Sequence, residues 1–200
     1  MRKPVETSKP KALTYYELNN QLNIPEDGKI PLHKDKEAVR AYFLQEINPN
    51  TRFFWDIEEK IDYLLENDYI EEEFINSYSW EFVKKLFKQA YDKKFRFSSF
   101  MGAHKFYSQY ALKSNDGEEY LERYEDRIVF NALYLANGDE QLAVDLMEEM
   151  LARRFQPATP TFLNAGRKRR GELISCFLLD VSDDLNSIFR TVNSAAQLLK

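Results

Sequence analysis

"PATPTFLNAGRKRRGELISCFLLDV", residues 157 to 181, is where the texture of this sequence changes, and it holds the only cysteine in 200 residues. Pro157 and Pro160 forbid a continuous helix there, because proline lacks the amide proton and clashes with the preceding turn. "PATPT" therefore reads as a stiffened, extended segment. "GRKRRGE" is a charged loop between two glycines. "LISCFLLDV", 173 to 181, is a nearly unbroken apolar run, the pattern of a strand covered on both faces. "SDDLNSIFRTVNSAAQLLK" then predicts a new helix, with Leu185, Ile188, Phe189, Val192 and Ala196 on one stripe and Asp183 as its N-cap. A lone buried strand cannot satisfy its own backbone groups. The stretch thus predicts a helical domain giving way to the first strand and helix of an α/β domain, with the strand's partners outside these residues.

Upstream, the period is helical. Residues 1 to 30 carry Pro4, Pro10, Pro25 and Gly28 and read as an extended or poorly ordered arm, with one apolar patch from Leu13 to Leu18. Asp35 is a candidate N-cap for a helix that puts Val39, Tyr42, Phe43 and Ile47 on one face and ends at Asn48 and Pro49. Ile57, Ile61, Leu64 and Leu65 mark a second helix, and Val83, Leu86, Phe87 and Ala90 mark a third starting near Trp80. A fourth, capped by Ser98 or Ser99, carries Ala103, Phe106, Tyr107 and Tyr110. The turn "SNDG", 114 to 117, stops it. A long helix is expected over 118 to 136, broken by "ANGD". Asp139 then caps a helix with Leu142, Leu146, Met147 and Met150 facing inward. The domain division is an arm over 1–30, a helical domain over 31–155, and the start of an α/β domain over 156–200.

Composition narrows the function classes. Twenty-eight bases against 33 acids give a net charge of −5. That balance argues against general affinity for a polyanion, so no nucleic-acid partner is expected. One cysteine excludes an intrachain disulfide, and with only His33 and His104 beside it no metal site of ordinary spacing can form. No stretch approaches the roughly 20 apolar residues of a membrane span. The N-terminus lacks an apolar signal core. The chain reads as cytoplasmic.

Cys176 is the residue of most interest. A free cysteine in an apolar strand is most often a small hydrophobe. A nucleophilic thiolate wants a base or a helix N-terminus nearby, whereas a redox thiol needs only a dry site and a second thiol to close a disulfide. Both roles are open on the residues alone. "GRKRRG" is either a solvated loop or a contact for phosphate or an acidic partner, and it lacks the strand–GxxxxGK–helix context of a P-loop. Thr159 and Thr161 offer hydroxyl donors.

The run "RFQPATPTFLNAGRKRRGELISCFLLDVSDDLNSI" closely resembles the large (alpha) subunit of class Ib ribonucleoside-diphosphate reductases. The upstream "FSSFMGAHKFYSQYALKSNDGEEYLERYEDRIVFNALYLANGD" resembles the helical N-terminal domain of that family, and a weaker likeness reaches back to "KDKEAVRAYF". The subclass follows from the short stretch ahead of the cysteine: the short helical material at 13–48 looks like a remnant of an ATP cone, whose usual opening signature is missing. The resemblance implies a mainly α N-terminal domain leading into a ten-stranded α/β barrel. It also implies that ribonucleoside diphosphates are reduced by thiyl-radical chemistry. Cys176 matches the first of the two thiols that become a disulfide, in a site from which water is excluded. Thr159 and Ser175 match positions that hold the substrate near its diphosphate. Asp183 matches the carboxylate that takes the ribose of a nucleoside triphosphate effector.

The partners implied are a second alpha chain, a small radical-generating beta subunit with a dinuclear metal centre and tyrosyl radical, and a thioredoxin- or glutaredoxin-like reductant. This chain itself is expected to hold no cofactor and no metal. It is also expected to be the N-terminal piece of a longer subunit and inactive alone. The alternative is a non-catalytic helical interaction module with a structural cysteine.

Overall fold

The computed structural model describes residues 13–29 and 31–199. The fold is helical throughout, with ten α-helices and four isolated β-bridges but no strand among the described residues. The first helix, α1 (Tyr15–Asn20), overturns the extended reading of residues 13–20. It starts with a capping box in which the Thr14 hydroxyl accepts from Glu17 N and the Glu17 carboxylate accepts from Thr14 N. Its Tyr15 ring packs on Tyr42 and Phe100, 4.9 and 5.7 Å between centroids. Burial there pushes the Tyr15 hydroxyl up to about 12. Residues 1–12 and 30 of the predicted arm lie outside the described residues.

Helix α2 (Leu32–Tyr42) begins before Asp35, so Asp35 is not its cap. Its carboxylate instead accepts the Phe100 amide at 2.6 Å, one of the orphan donors of α6 (Phe100–Lys105). Ser99 caps that helix through Gly102 N. Helices α3 (Ile57–Glu66) and α5 (Trp80–Asp92) bury the residues their spacing selects: Ile61 and Leu64 in one, Val83, Leu86, Phe87 and Ala90 in the other. The short α4 (Glu72–Asn76) lies between them in the chain and packs Phe74 against the core.

Helix α7 (Tyr124–Ala136) is the axis of the molecule. It contacts α4, α5, α8 (Glu140–Leu151) and α9 (Thr159–Asn164). Nine of its residues are buried, including Asp126, Arg127 and Asn131. It starts at Tyr124, not 118: residues 118–123 run as irregular chain, in which the Tyr120 amide bonds Asn50 O and its carbonyl takes Arg52 N. Asn137, left-handed at φ 46°, and Gly138 at φ 94° turn the chain into α8. Tyr78 clamps that turn, donating to Leu133 O and accepting from Gly138 N, both at 2.8 Å. In α8, Ala143, Met147 and Met150 face in, whereas Leu142 is exposed.

Two corrections concern the opening stretch. "PATPT" is not extended: its last three residues begin α9, with Pro160 in the first turn, where its missing amide proton costs nothing. Residues 173–181 form no strand and are not buried. Leu178 is 99% exposed, and Ile174 and Phe177 about half. The apolar run meets no second strand among the described residues, and without ladder partners a strand has nothing to form from. Helix α10 (Leu185–Leu198) does form, capped by Asp184 through Ser187 N at 2.9 Å instead of by Asp183. It buries none of its residues.

Candidate functional site

The site is built where the loop after α8 returns to the helical body. Gly166, at φ 74°, lets the chain pass under Phe74, whose ring lies 2.8 Å from where a Cβ would stand. Glu71 N donates to Gly166 O at 2.9 Å and Lys168 N to Tyr69 O at 3.1 Å, forming an antiparallel bridge between Ile70 and Arg167. A charge cluster locks this passage. Glu122, fully buried, faces Arg127 and Arg167, each at 3.3 Å, and accepts Leu112 N at 2.9 Å. Arg127 also donates to Ala165 O, and Arg167 to Tyr110 O. Burial lowers the Arg127 guanidinium to about 10, partly offset by Glu122. Asn131 adds bonds to Arg127 O and Phe162 O at 2.8 and 3.1 Å.

A second cluster centres on the neighbouring residue of α7. Asp126 pairs with Lys60, accepts from the Tyr91 hydroxyl, and accepts Arg123 N at 2.7 Å. Burial, then the Asp126 charge, raises the Tyr91 hydroxyl far above its ordinary range. Neither cluster was legible from sequence, since a buried acid and a solvated one look alike there.

These contacts settle the basic loop. Arg167 is spent on Glu122, and Arg170 pairs with Glu71 at 3.0 Å. Two of the four bases therefore fasten the loop down, leaving Lys168 and Arg169 exposed.

Thr159 opens α9 on the wall of a cleft of about 310 Å³. Lys105, Tyr110, Arg153 and Phe162 also line it. The Thr159 hydroxyl lies 3.1 Å from the Tyr110 hydroxyl. Lys105 and Tyr110 were not singled out as site residues in the sequence; the Tyr110 carbonyl and ring serve the fold, which hides its hydroxyl from pattern reading. Ser175 and Cys176 stand elsewhere, in the exposed segment 174–184. Their side chains are 3.5 Å apart and make no hydrogen bond to the helical body among the described residues. The expected dry surroundings of the thiol are absent here: Cys176 is exposed. The segment is tied to the body just upstream, where Thr161 donates to Leu173 O at 2.7 Å and Asn164 to Glu172 O at 3.0 Å. Asp183 is exposed, one residue ahead of the α10 cap. Thr159 thus shares its cleft with Tyr110 and Lys105, and Ser175, Cys176 and Asp183 do not line that cleft.

Comparisons with known proteins match both the helical body and the segment that follows it. The family model described as ribonucleotide reductase N-terminal covers residues 15–95, and that described as ribonucleotide reductase, all-alpha domain covers 96–170. The chain is 57% identical over 186 residues to the ribonucleoside-diphosphate reductase subunit alpha of Bacillus subtilis, covering 93% of this chain and 27% of that protein. It is 47% identical over 187 residues to the subunit of the same name from Mycoplasma pneumoniae, covering 94% of this chain and 25% of that one. The chain thus spans about a quarter of the length of these relatives. It belongs to the ribonucleotide reductase alpha-subunit family and carries the N-terminal part of such a subunit. Any 186-residue stretch of a 200-residue chain takes in residues 15 to 186, so Thr159, Ser175, Cys176 and Asp183 all lie inside the region matched in the Bacillus protein.

No helix among the described residues is long and apolar enough to cross a membrane.

Proposed function

We propose that this chain supplies one redox thiol and part of the substrate and effector sites of a ribonucleoside-diphosphate reductase of subclass Ib, working in the cytoplasm. The observation that carries the reading is the 57% identity across a span that includes Cys176. In the proposed reaction the ribose 2′ hydroxyl leaves as water. Two thiols give up two electrons and two hydrogens, one hydrogen going to the carbon and one to the departing oxygen, and their sulfurs join as a disulfide. Cys176 is one of those thiols. The other lies outside these residues, which contain a single cysteine.

Thr159 and Ser175 hold the diphosphate, for which hydroxyl donors suit fully ionised phosphate oxygens. Asp183 accepts from a ribose hydroxyl of a nucleoside triphosphate effector. The exposed apolar side chains of 174–181 and α10 are covered in the longer subunit and its alpha-chain dimer, which restores a dry setting for the thiol. A separate beta subunit with a dinuclear metal centre supplies the radical, and a thioredoxin- or glutaredoxin-like protein reduces the disulfide between turnovers. In this reading the metal belongs to the beta subunit. The interaction-module alternative is disfavoured, since the relatives matched across Cys176 are named as reductase subunits.

The test is Cys176→Ser in the full-length subunit. Multi-turnover reduction of ribonucleoside diphosphates is expected to vanish while effector binding and the thermal midpoint are retained. Turnover at the wild-type rate in that variant would overturn the assignment.

A further inference from the structure

The contact between Tyr110 and Thr159 has a direction that the chemistry of phosphate decides. A threonine hydroxyl has one proton to donate and two lone pairs with which to accept. An ionised diphosphate offers acceptors, so a threonine that binds it must spend its single proton on the ligand. Its oxygen is then left to accept from something else. Tyr110 is placed to be that donor, with its hydroxyl 3.1 Å from Thr159 Oγ1.

Tyr110 is itself held on two sides. Its ring packs edge-on against Phe162, 5.5 Å between centroids, within the same helix that Thr159 opens. Its carbonyl accepts from Arg167, which the buried Glu122 anchors. It also closes the wide π-type turn Phe106–Tyr110, a geometry that recurs at functional sites. Thr159, by contrast, is exposed, and a threonine in a helix divides between two χ1 wells. A fixed phenol beside it selects one well and points the threonine proton away from Tyr110, into the cleft lined by Lys105.

We infer that Tyr110 is a positioning residue for substrate: it donates to Thr159 and so presents the Thr159 proton to a diphosphate. This rests on Thr159 contacting that diphosphate, as proposed above. Donation along the chain phenol to threonine to phosphate polarises each bond in turn, which strengthens the last one.

The experiment is steady-state kinetics on the full-length subunit with its partner subunit, comparing Tyr110→Phe, Thr159→Ala and the double variant. Tyr110→Phe removes one oxygen and keeps the ring on Phe162. KM for the ribonucleoside diphosphate is expected to rise roughly three- to tenfold in Tyr110→Phe, as for loss of one hydrogen bond, while kcat changes less than about twofold. Thr159→Ala should raise KM by on the order of tenfold or more, and the double variant should match Thr159→Ala alone. A raised KM in Thr159→Ala with none in Tyr110→Phe overturns the positioning role and leaves the Thr159 contact standing. Additive effects in the double variant overturn it as well, because Tyr110 would then act independently of Thr159. An unchanged KM in Thr159→Ala overturns the substrate contact itself, and the positioning role with it. A lowered thermal midpoint accompanied by an equal fall in kcat for Tyr110→Phe would mark a purely structural residue and also overturn the proposal.

Discussion

Helices α7 and α10 have 13 and 14 residues, and both carry aliphatic and aromatic side chains along their length. Helix α7 buries nine residues and α10 buries none. The difference is one of company. Helix α7 is contacted by four other helices, so even its charged groups are desolvated and must find partners inside. Helix α10 follows a segment held to the body by two hydrogen bonds at 172–173, and Phe189 and Val192 face solvent. An apolar stripe therefore states that a surface is meant to be covered, without saying by what. The body, through residue 170, encloses a core of its own; the apolar side chains from 174 onward are left in solvent.

That contrast can be broken or sharpened by substitution, with stability followed by chemical denaturation of this 200-residue chain. The largest effect is expected at Glu122. Glu122→Gln leaves Arg127 and Arg167 without their counter-charge, a loss of roughly 3–5 kcal/mol for a broken buried pair. A loss below about 1 kcal/mol would mean that the two guanidiniums reach water, and that α7 is less enclosed than described. A paired comparison follows. Phe130→Ala, in the centre of α7, should cost about 3–5 kcal/mol, and Phe189→Ala on α10 less than about 0.5. Equal costs at the two positions would show that α10 is already packed. Gly166→Ala should cost about 1–3 kcal/mol, because it combines a left-handed backbone with a methyl group driven into the Phe74 ring.

The smallest effect is a pH slope. Burial raises the Glu125 carboxyl above its ordinary value, so the folded state holds that proton more tightly than the unfolded chain does. Its contribution to stability is full at pH values below the ordinary glutamate range and is lost as pH rises through the raised value. Glu125→Gln should flatten that slope and be the more stable chain at neutral pH by less than about 1 kcal/mol. Identical pH profiles for the two chains would show Glu125 to be solvated.

How far the sequence could be read depends on what each residue's neighbours are. Helices α3 and α5 are half-buried, so their spacing shows directly, and Val83, Leu86, Phe87 and Ala90 were identified as inward-facing from periodicity alone. The start of α7 was misplaced, because Glu118 to Arg123 look like solvated helix while Glu122 is buried in a loop. Asp35 looked like a local cap and turned out to serve α6, 65 residues away, a pairing no local pattern carries. Asp183 and Asp184 are adjacent acids, and backbone geometry alone chose the second as the cap. Thr159 could be singled out through the family resemblance, but its neighbour Tyr110 could not, because 49 residues separate them in the chain. The strand expected over 173–181 failed for a different reason: the pattern of burial is local, but the ladder that would use it is not.

The rivet at residues 166–170 has a mechanical consequence. Tension applied to the chain from the side of Cys176 first meets the Leu173 and Glu172 carbonyl bonds, which are few and near the surface. It then runs into the Glu71–Arg170 pair and the Ile70–Arg167 bridge, backed by Glu122 deep in the body. Because two guanidiniums share that one carboxylate, a pull on Arg167 is spread into α7 through Arg127 instead of peeling the loop away one bond at a time. The ties at 172–173 are thus the ones to give way first, while everything before Gly166 stays in register.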